Sequence, residues 1–240
     1  MGMMNTTLLM LVVVLIMSCG AAGKNPDWLF QSEEQWDTQW SKGNWNYMDQ
    51  VPIERTKVAV ITELSKLYGR NSSTAHISPG GILDVGCGEG SVLDFISPEF
   101  KKSYVGIDIS KEAIRAAKTK RPHGRFLHAA AHSFTLHPRR AGVKFNTIFF
   151  SDVLYYIDHE STMKRYNDEL LTDDGIVIIS IFQKPDTNQV LYEEIFESAR
   201  KIWDKKEEIF LSGTTKKTAH SSGVVTAKTG FRIEVFQKKQ

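Results

Sequence analysis

Short apolar segments alternate with amphipathic segments along residues 53–237, and this alternation is the strongest constraint on the fold. The apolar segments have the length of buried strands and lie at 81–85, 104–108, 125–129, 145–150 and 176–182. Helical spacing of apolar residues, or a helix start, marks 53–68, 91–96, 111–120, 160–171 and 189–203. Strands that alternate with helices build a parallel sheet wrapped by helices. The pattern predicts one α/β domain, closed by an antiparallel pair at 208–212 and 231–237.

Composition agrees with one globular domain and excludes several classes of protein. The chain has 240 residues, of which 41% are hydrophobic and 24% charged, and its net charge is +2. Thirty Lys and Arg against 28 Asp and Glu leave no basic excess for a nucleic-acid backbone, so no nucleic-acid partner is expected. Cys19 and Cys87 are the only cysteines, too few for a disulfide framework or a cysteine zinc cluster.

The first 23 residues do not follow the α/β pattern. Ten apolar residues at 8–17 precede the small residues SCGAAG and the first charge at Lys24. This order is typical of a secretory signal peptide that is cleaved near residues 21–23. No Lys or Arg precedes the apolar run, and the run is shorter than the roughly 20 residues that span a bilayer. The segment predicts a secreted or secretory-pathway protein. The alternatives are a membrane-anchored protein, if the segment is not cleaved, or a cytoplasmic protein. No membrane contact is expected other than through this segment.

The turn after the first predicted strand is rich in glycine. ILDVGCGEG at 82–90 carries Gly86, Gly88 and Gly90. Glycines permit a tight turn and let a ligand approach bare backbone near the amides of the next helix. A dinucleotide-binding fingerprint would have its third glycine at Ser91, so this loop suits a ligand without a pyrophosphate. Asp108 ends the second strand, where an acid in this fold accepts hydrogen bonds from ribose hydroxyls. Turn, acid and strand order together predict a nucleoside site.

These segments resemble the motifs of the class I S-adenosylmethionine-dependent methyltransferases, from about Trp36 to the C-terminus. ILDVGCGEGS at 82–91 looks like the first motif, YVGIDIS at 104–110 the second, FNTIFFSDVLYYI at 145–157 the fourth and LLTDDGIVIIS at 170–180 the strand-five motif. The segment SDVLYYI is similar in sequence to the corresponding segment of small-molecule methyltransferases named for nodulation N-methylation. The resemblance implies a Rossmann-like fold with a seven-stranded, mostly parallel sheet whose last strand is antiparallel. It also implies S-adenosyl-L-methionine as the cofactor and a small-molecule acceptor with a reactive N, O or S atom.

The resemblance further implies which residues contact the cofactor. The glycine loop would line the methionine end, with Asp84 beneath the turn, Asp108 on the ribose and Ser151 near the amino group. Many relatives carry Asp after strand three, where this chain has Ala130, so the adenine would rely on backbone near Ala131 or on His132. The expected cofactor-binding residues are Asp84, Gly86, Cys87, Gly88, Gly90, Asp108, Ile109, Ala131 and Ser151, and no metal ligand is expected.

Candidate catalytic residues follow the fourth strand. Asp152, Tyr156 and His159 lie where ligands of open parallel sheets bind. Asp152 or His159 could take the acceptor's proton, and His159 titrates nearest to neutral pH. The alternative interpretation is that Asp152 caps the following helix and the tyrosines pack. Alignment of donor and acceptor can also drive transfer without a dedicated base.

Aromatic residues crowd the segment before the first strand. Four of the five tryptophans lie there, at Trp28, Trp36, Trp40 and Trp45, with Tyr47 beside them. In relatives an N-terminal segment covers the cofactor and closes the acceptor pocket, and aromatic faces suit a cationic or sugar substrate. The alternative is that these rings attach a helix to the sheet.

The chain therefore divides into a signal peptide or anchor at 1–23, an aromatic-rich segment with a lid helix at 24–80, and a cofactor-binding core at 81–240 that forms one globular domain with 24–80. Two further functions fit the pattern. One is a nicotinamide-dependent Rossmann oxidoreductase, and the other is a secreted pseudoenzyme that binds the cofactor without transfer.

Overall fold

In a computed structural model of the chain, the described residues are 31–69, 81–135, 143–183, 189–212, 216–220, 223–227 and 230–240. The predicted signal peptide and Trp28 lie outside these ranges, so the signal peptide and the localisation that follows from it stay predictions. None of the described helices is both long and apolar enough to cross a membrane.

A seven-stranded sheet forms the centre of the protein. The strands in chain order are β1 Ile82–Val85, β2 Tyr104–Asp108, β3 Phe126–His128, β4 Phe145–Ser151, β5 Leu171–Gln183, β6 Trp203–Ser212, β7 Lys216–His220, β8 Gly223–Ala227 and β9 Gly230–Lys238. The sheet has the order β3-β2-β1-β4-β5-β9-β6, and β7 pairs with β8 in a separate hairpin. Strands β1 to β5 pair in parallel, while β9 is antiparallel to β5 and β6. This confirms the predicted sheet.

The order of the strands reverses at β1, which lies between β2 and β4. Successive parallel strands run outward in opposite directions from this point, so a crevice opens at the carboxyl ends of β1 and its neighbours. Ligands of open α/β sheets bind in such a crevice. The glycine loop and the residues after β2 and β4 therefore come together at one edge of the sheet.

Six α-helices surround the described sheet. They are α1 Glu33–Ser41, α2 Pro52–Gly69, α3 Pro98–Lys101, α4 Lys111–Lys120, α5 His159–Arg165 and α6 Gln189–Ile202. Ser110 caps α4, because its hydroxyl accepts a hydrogen bond from the Ala113 amide. Helix α1 begins with a capping box between Ser32 and Gln35.

Two predicted helices differ from the structure. The helix expected at 91–96 is one 3₁₀ turn, Ser91–Asp94, followed by the short α3. Proline disfavours helical backbone at the residue before it, and Ser97, which precedes Pro98, is extended with ψ of 152°. The helix expected at 160–171 runs from His159 to Arg165, and a π-helical turn, Tyr166–Leu170, joins it to β5.

The apolar core lies in two layers, one on each face of the sheet. Side chains alternate between the faces of a strand, so Ile148 and Phe150 of β4 belong to one layer and Phe149 to the other. Helices α5 and α6 cover the first layer, and α2 covers the second through Ile61 and other apolar residues. The two layers hold the strand ends of the crevice in fixed positions.

Candidate active site

The glycine loop after β1 brings bare backbone to the edge of the crevice. Gly86, Gly88 and Gly90 have φ angles of +70°, +51° and +78°, which side-chain-bearing residues seldom adopt. A Cβ atom on Gly86 would lie 2.9 Å from Cγ2 of Val153, and one on Gly88 would lie 3.2 Å from the Trp40 ring. The loop therefore forms a close-packed surface that a larger residue would disrupt.

The amide groups of this loop are bonded within the protein. The Gly86 and Cys87 amides both donate to the Ile107 carbonyl at 2.9 Å, and the Gly90 amide donates to the Cys87 carbonyl at 2.8 Å. The Gly88 amide donates to Oδ2 of Asp108 at 2.9 Å. At these four positions the loop offers a ligand close contact with backbone but no unpaired amide.

The carboxylate of Asp108 joins the end of β2 to the glycine loop. In addition to the bond from Gly88, Oδ1 accepts a hydrogen bond from the Ser110 amide at 2.8 Å. Burial raises the pKa of Asp108, and the two amide donors partly offset that effect. Each carboxylate oxygen keeps a second lone pair, so Asp108 can also accept hydrogen bonds from a ligand.

Asp84 lies in β1, beneath the turn. Its side chain is 2% exposed and Oδ2 accepts a hydrogen bond from the Tyr104 hydroxyl at 2.7 Å. Burial raises the pKa of Asp84 to about 6, although the Tyr104 hydroxyl and the Lys57 charge act in the opposite direction. Asp84 supports the loop from within the sheet and does not line the cavity described below.

A buried ion pair holds the turn after β4. Asp152 has a left-handed backbone with φ of +56°, and its Oδ1 accepts a hydrogen bond from the Phe182 amide at 2.7 Å. Its Oδ2 lies 2.7 Å from Nζ of Lys57, a lysine of α2 that is only 2% exposed. The same ammonium lies 2.9 Å from Glu54 and 4.6 Å above the Phe231 ring. The turn is therefore tied to both α2 and β5.

The ion pair overturns one interpretation of the sequence. Asp152 does not cap the following helix: its oxygens bond to Lys57 and the Phe182 amide, and the 3₁₀ turn Leu154–Tyr156 that follows it has no side-chain cap. Asp158 caps α5 instead, accepting a hydrogen bond from the Ser161 amide. Burial alone would lower the pKa of Lys57, but the carboxylates of Asp152 and Glu54 raise it above its ordinary value. Burial also raises the pKa of Glu54, in spite of the Lys57 charge.

Aromatic rings of the N-terminal segment form one wall of the crevice. The Trp45 ring centroid lies 5.8 Å from that of Trp36, 6.4 Å from that of Trp40 and 6.2 Å from that of Tyr47. Trp36 also meets Tyr156 edge to face at 4.8 Å. We refer to these five residues as the aromatic wall. It joins the segment before the first strand to the turn after β4.

Two carboxylates attach this segment to opposite ends of α4. Asp37 Oδ1 accepts hydrogen bonds from the Ser110 hydroxyl at 2.6 Å and the Glu112 amide at 3.2 Å. Asp49 lies 3.2 Å from both Lys120 and Arg121. The two anchors bracket Trp40 and Trp45 in sequence, and Asp37 directly follows Trp36, so they fix this segment against α4.

A cavity of about 140 Å³ lies between the glycine loop, Asp108 and the aromatic wall. Its lining includes eight of the predicted site residues: Gly86, Gly88, Asp108, Ile109, Ala131, Ser151, Asp152 and Tyr156. Asp84, Cys87 and Gly90 belong to the strand and loop behind this surface and do not line it. His159 is the first residue of α5, half-buried and outside the lining, and burial lowers its pKa.

The region expected to face an adenine is made of backbone and small residues. Ala130, Ala131 and His132 line the cavity at the 3₁₀ turn after β3. The Ala131 carbonyl already accepts hydrogen bonds from Nη2 of Arg165 at 2.7 Å and the Tyr166 hydroxyl at 3.0 Å. That carbonyl is therefore a less available acceptor than the sequence suggests.

Lys57 was not among the predicted site residues, although the sequence carries a signal for it. Lys57 is spaced four residues from Ile61 and seven from Leu64, both buried, so it belongs to the apolar face of α2. A lysine at such a position needs a buried anionic partner. Gln31 and Met48 also line the cavity and were not predicted.

The comparisons with known proteins agree on one family. A family model described as "Methyltransferase domain" matches residues 57–212. The Mycobacterium tuberculosis protein "Putative methyltransferase Rv1506c" is 43% identical over 56 residues, which are 22% of this chain and 34% of that protein. The match thus spans about a third of the length of the curated relative.

Solved structures show the same fold. N-methyltransferase NodS from Bradyrhizobium japonicum, in complex with S-adenosyl-L-homocysteine, has a TM-score of 0.61 and 15% identity, covering 87% of this chain and 98% of that one. Magnesium protoporphyrin IX methyltransferase from Synechocystis, also with S-adenosyl-L-homocysteine, has a TM-score of 0.57 and 14% identity, covering 87% and 100%.

The raised pKa of Asp84 predicts a specific dependence of stability on pH. Between the ordinary value of 3.8 and the folded value of about 6 the native state binds more protons, so the contribution of Asp84 to the unfolding free energy falls as pH rises through that window. The fall amounts to about 3 kcal/mol at 1.36 kcal/mol per pKa unit. Asp84→Asn removes this pH dependence. In urea unfolding, the unfolding free energy of the variant should therefore rise by about 3 kcal/mol relative to that of the parent between pH 4 and pH 7. Parallel profiles for the two proteins contradict the assignment.

The Lys57 ion pair predicts a large loss of stability on truncation. Lys57→Met leaves the largely buried carboxylates of Asp152 and Glu54 without their cation and should lower the unfolding free energy by about 3 to 5 kcal/mol. Lys66→Met is the matched control, because Lys66 lies on the same helix and pairs with an exposed carboxylate, Glu63. The control should change stability by less than about 1 kcal/mol in the same urea titration. Equal losses of unfolding free energy in Lys57→Met and Lys66→Met would contradict a larger stabilising role for the Lys57 ion pair.

Proposed function

The chain belongs to the methyltransferase domain family, and on that premise we propose that it transfers a methyl group from S-adenosyl-L-methionine to a small-molecule acceptor. One observation carries the proposal. The buried Asp108 carboxylate and the bare backbone at Gly86 and Gly88 border the same cavity, at the strand reversal of the sheet. A nucleoside needs an acceptor for its ribose hydroxyls and a close-fitting surface for the rest of the molecule. The related structures from Bradyrhizobium japonicum and Synechocystis both contain S-adenosyl-L-homocysteine.

The bonding of the loop amides favours this donor over a dinucleotide. A pyrophosphate is held by free amides at a glycine turn and at the N-terminus of the following helix. Here the amides of Gly86, Cys87, Gly88 and Gly90 have partners within the protein, and only a short 3₁₀ turn follows. These observations weigh against the nicotinamide-dependent oxidoreductase that the sequence left open. A pseudoenzyme would differ from the proposed methyltransferase only in having no turnover, which is measured as the release of S-adenosyl-L-homocysteine.

Each described part of the cavity has a role in the proposed reaction. When bound, S-adenosyl-L-methionine supplies an activated methyl group on a positively charged sulfur; the acceptor atom forms a bond to that carbon as the carbon–sulfur bond breaks. Asp108 and the glycine loop orient the donor. The aromatic wall excludes water and offers ring faces to the acceptor, and alignment in a dry site supplies much of the rate. The proton of the acceptor leaves on the side of Asp152 and Tyr156, which line the cavity.

Asp152 is a better candidate than His159 for contact with the acceptor. Asp152 lines the cavity, and each of its oxygens retains a lone pair beyond the bonds from Lys57 and Phe182. We assign Asp152 the orientation of the acceptor's X–H group, with proton acceptance as the reaction proceeds. Tyr156 contributes its ring and hydroxyl to the same region. His159 stays outside the lining and is assigned to the surface of α5.

The acceptor is a small molecule bearing an N, O or S nucleophile, and a nucleic-acid acceptor is not expected. The two structural relatives carry different descriptions, one as an N-methyltransferase and one as a magnesium protoporphyrin IX methyltransferase. The same fold therefore accepts unlike acceptors. An acceptor screen for this chain should span amines, alcohols, carboxylic acids and thiols.

The role of Asp108 predicts a loss of cofactor affinity that depends on the ribose. Calorimetry on the parent protein should detect binding of S-adenosyl-L-homocysteine. Asp108→Ala should weaken it by about 3 kcal/mol, because a charged acceptor of hydroxyl hydrogen bonds is removed. The 2′-deoxy analogue should bind the parent more weakly than S-adenosyl-L-homocysteine does. The Asp108→Ala variant should bind the two ligands with equal affinity. This pairing separates a lost ribose contact from a general change in the loop.

Two results would contradict the assignment. In one, Asp108→Ala leaves affinity for S-adenosyl-L-homocysteine unchanged. In the other, the parent fails to bind S-adenosyl-L-homocysteine and binds NADH instead, which would support the oxidoreductase.

The assignment of Asp152 predicts a selective loss of turnover. With the best acceptor from the screen, Asp152→Asn should lower kcat by about a hundredfold, within the range of lost acid–base groups, while affinity for S-adenosyl-L-homocysteine changes less than about threefold. His159→Gln is the matched control and should stay within about twofold of the parent. The measurement is S-adenosyl-L-homocysteine released per minute. A hundredfold loss in His159→Gln alone reverses the assignment, and binding without release for any acceptor supports the pseudoenzyme.

A further inference from the structure

The walls of the cavity combine two carboxylates with aromatic rings. Among the described residues that line it, Asp108 and Asp152 carry the only carboxylates, and none is a Lys or Arg. Trp36, Trp40 and Trp45 belong to the same lining. A carboxylate attracts a cation through its charge, and an aromatic ring attracts one through the negative charge on its faces. The walls of the cavity therefore favour positive charge and disfavour negative charge.

The buried lysine behind the cavity does not reverse this preference. Lys57 is not part of the lining, and its Nζ lies 2.7 Å from Asp152 and 2.9 Å from Glu54. One ammonium group is thus shared by two carboxylates, of which Asp152 borders the cavity. Lys57 holds the turn after β4 and leaves no cation for an anionic acceptor.

The other polar side chains of the lining do not supply a site for an anion either. Gln31, Ser151 and Tyr156 carry an amide and two hydroxyls, and His132 lies at the turn after β3, on the side assigned to the adenine. An amide or a hydroxyl can orient a neutral oxygen or nitrogen acceptor. A neutral donor offsets only part of the repulsion between an anion and two carboxylates in a site that excludes water.

The charge of the reacting atom separates the possible acceptors. Carboxylic acids and thiols react as anions, so their transfer brings a negative charge into the cavity. An amine reacts as a neutral nitrogen, and the positive charge of the donor's sulfur passes to that nitrogen as the new bond forms. Fixed groups of opposite charge stabilise a charge that develops beside them in the transition state. Asp152 and the rings therefore favour an amine over an anionic nucleophile.

We propose that the acceptor is an amine whose nitrogen lies between Asp152 and the aromatic wall. The inference rests on the proposed function and narrows its acceptor to one chemical class. The amine first loses a proton to water. Its nitrogen lone pair then forms the bond to the methyl carbon, while the electron pair of the carbon–sulfur bond passes to sulfur. Asp152 accepts a hydrogen bond from the nitrogen and then a proton from the N-methylammonium product.

Matched acceptors that differ only in the reacting group test this proposal. Primary amines, alcohols, carboxylic acids and thiols with the same alkyl and benzyl skeletons are incubated with the parent and S-adenosyl-L-methionine labelled with ¹⁴C in the methyl group. Label should pass to the amine series, and mass spectrometry should locate the methyl group on nitrogen. Each acid or thiol should be methylated at least about a hundredfold more slowly than the amine of the same skeleton.

The outcomes separate this inference from the function on which it rests. Transfer to an acid, alcohol or thiol that equals or exceeds transfer to the matched amine overturns the proposal. Absence of label in all four series, from a parent that binds S-adenosyl-L-homocysteine, also overturns it and supports the pseudoenzyme. If the parent does not bind S-adenosyl-L-homocysteine, the proposed function itself fails.

A variant of the aromatic wall tests the contact between ring and nitrogen. Trp36→Leu keeps an apolar side chain and removes the ring, so the KM of the best amine should rise about three- to thirtyfold. Affinity for S-adenosyl-L-homocysteine should change less than about threefold. Phe210→Leu is the matched control, because the Phe210 ring is 44% exposed on β6 and outside the lining; its KM should equal that of the parent. An unchanged KM in Trp36→Leu contradicts the placement of the nitrogen against the wall.

If Trp36→Leu does not fold, the parent itself provides the test. Two inhibitors are made from the best amine, one with a trimethylammonium group in place of the amino group and one with an uncharged tert-butyl group of the same shape. The cation should inhibit methyl transfer at least about tenfold more strongly than the tert-butyl compound. Equal inhibition by the two compounds means that the cavity does not recognise positive charge, and overturns the proposal.

Discussion

The hydrogen bond between the Gly88 amide and the Asp108 carboxylate connects the two halves of the candidate site. It joins the loop after β1 to the end of β2, at the point where the strand order reverses. Asp108 also accepts a hydrogen bond from the Ser110 amide. The Ser110 side chain caps α4 and donates a hydrogen bond to Asp37. One carboxylate thus fixes the glycine loop and, through Ser110, the aromatic segment above it. The same group is the acceptor that the proposed function assigns to the ribose.

A second constraint holds the opposite side of the cavity. Asp152 adopts a left-handed turn, which is costly for a residue with a side chain and persists only when its surroundings enforce it. Lys57 and the Phe182 amide supply that enforcement. The turn then brings Val153 against Gly86 and carries Tyr156 to Trp36. The acceptor side of the cavity therefore depends on a buried ion pair between α2 and the end of β4.

Local signals in the sequence predict much of this arrangement, and long-range partners account for what they miss. The parallel strands are recognisable because buried strands are continuous apolar runs, and Ser110 has the sequence context of a helix cap. The helix expected to start at 91–96 does not continue past one 3₁₀ turn, because Ser97, which precedes Pro98, is extended. Helix α1 is mostly polar, so periodicity does not reveal it, although Ser32 and Gln35 have capping-box spacing. Lys57 and Asp152 are 95 residues apart, and one sequence does not identify them as partners.

The central claim is that the space between the Gly88 backbone and the Asp108 carboxylate binds the adenosyl group of S-adenosyl-L-methionine. A crystal structure of the protein grown with S-adenosyl-L-homocysteine tests it most directly. Density for the nucleoside is expected in that space, with both ribose hydroxyls within hydrogen-bond distance of Asp108. A well-ordered but empty crevice, or the nucleoside bound elsewhere on the protein, would contradict it.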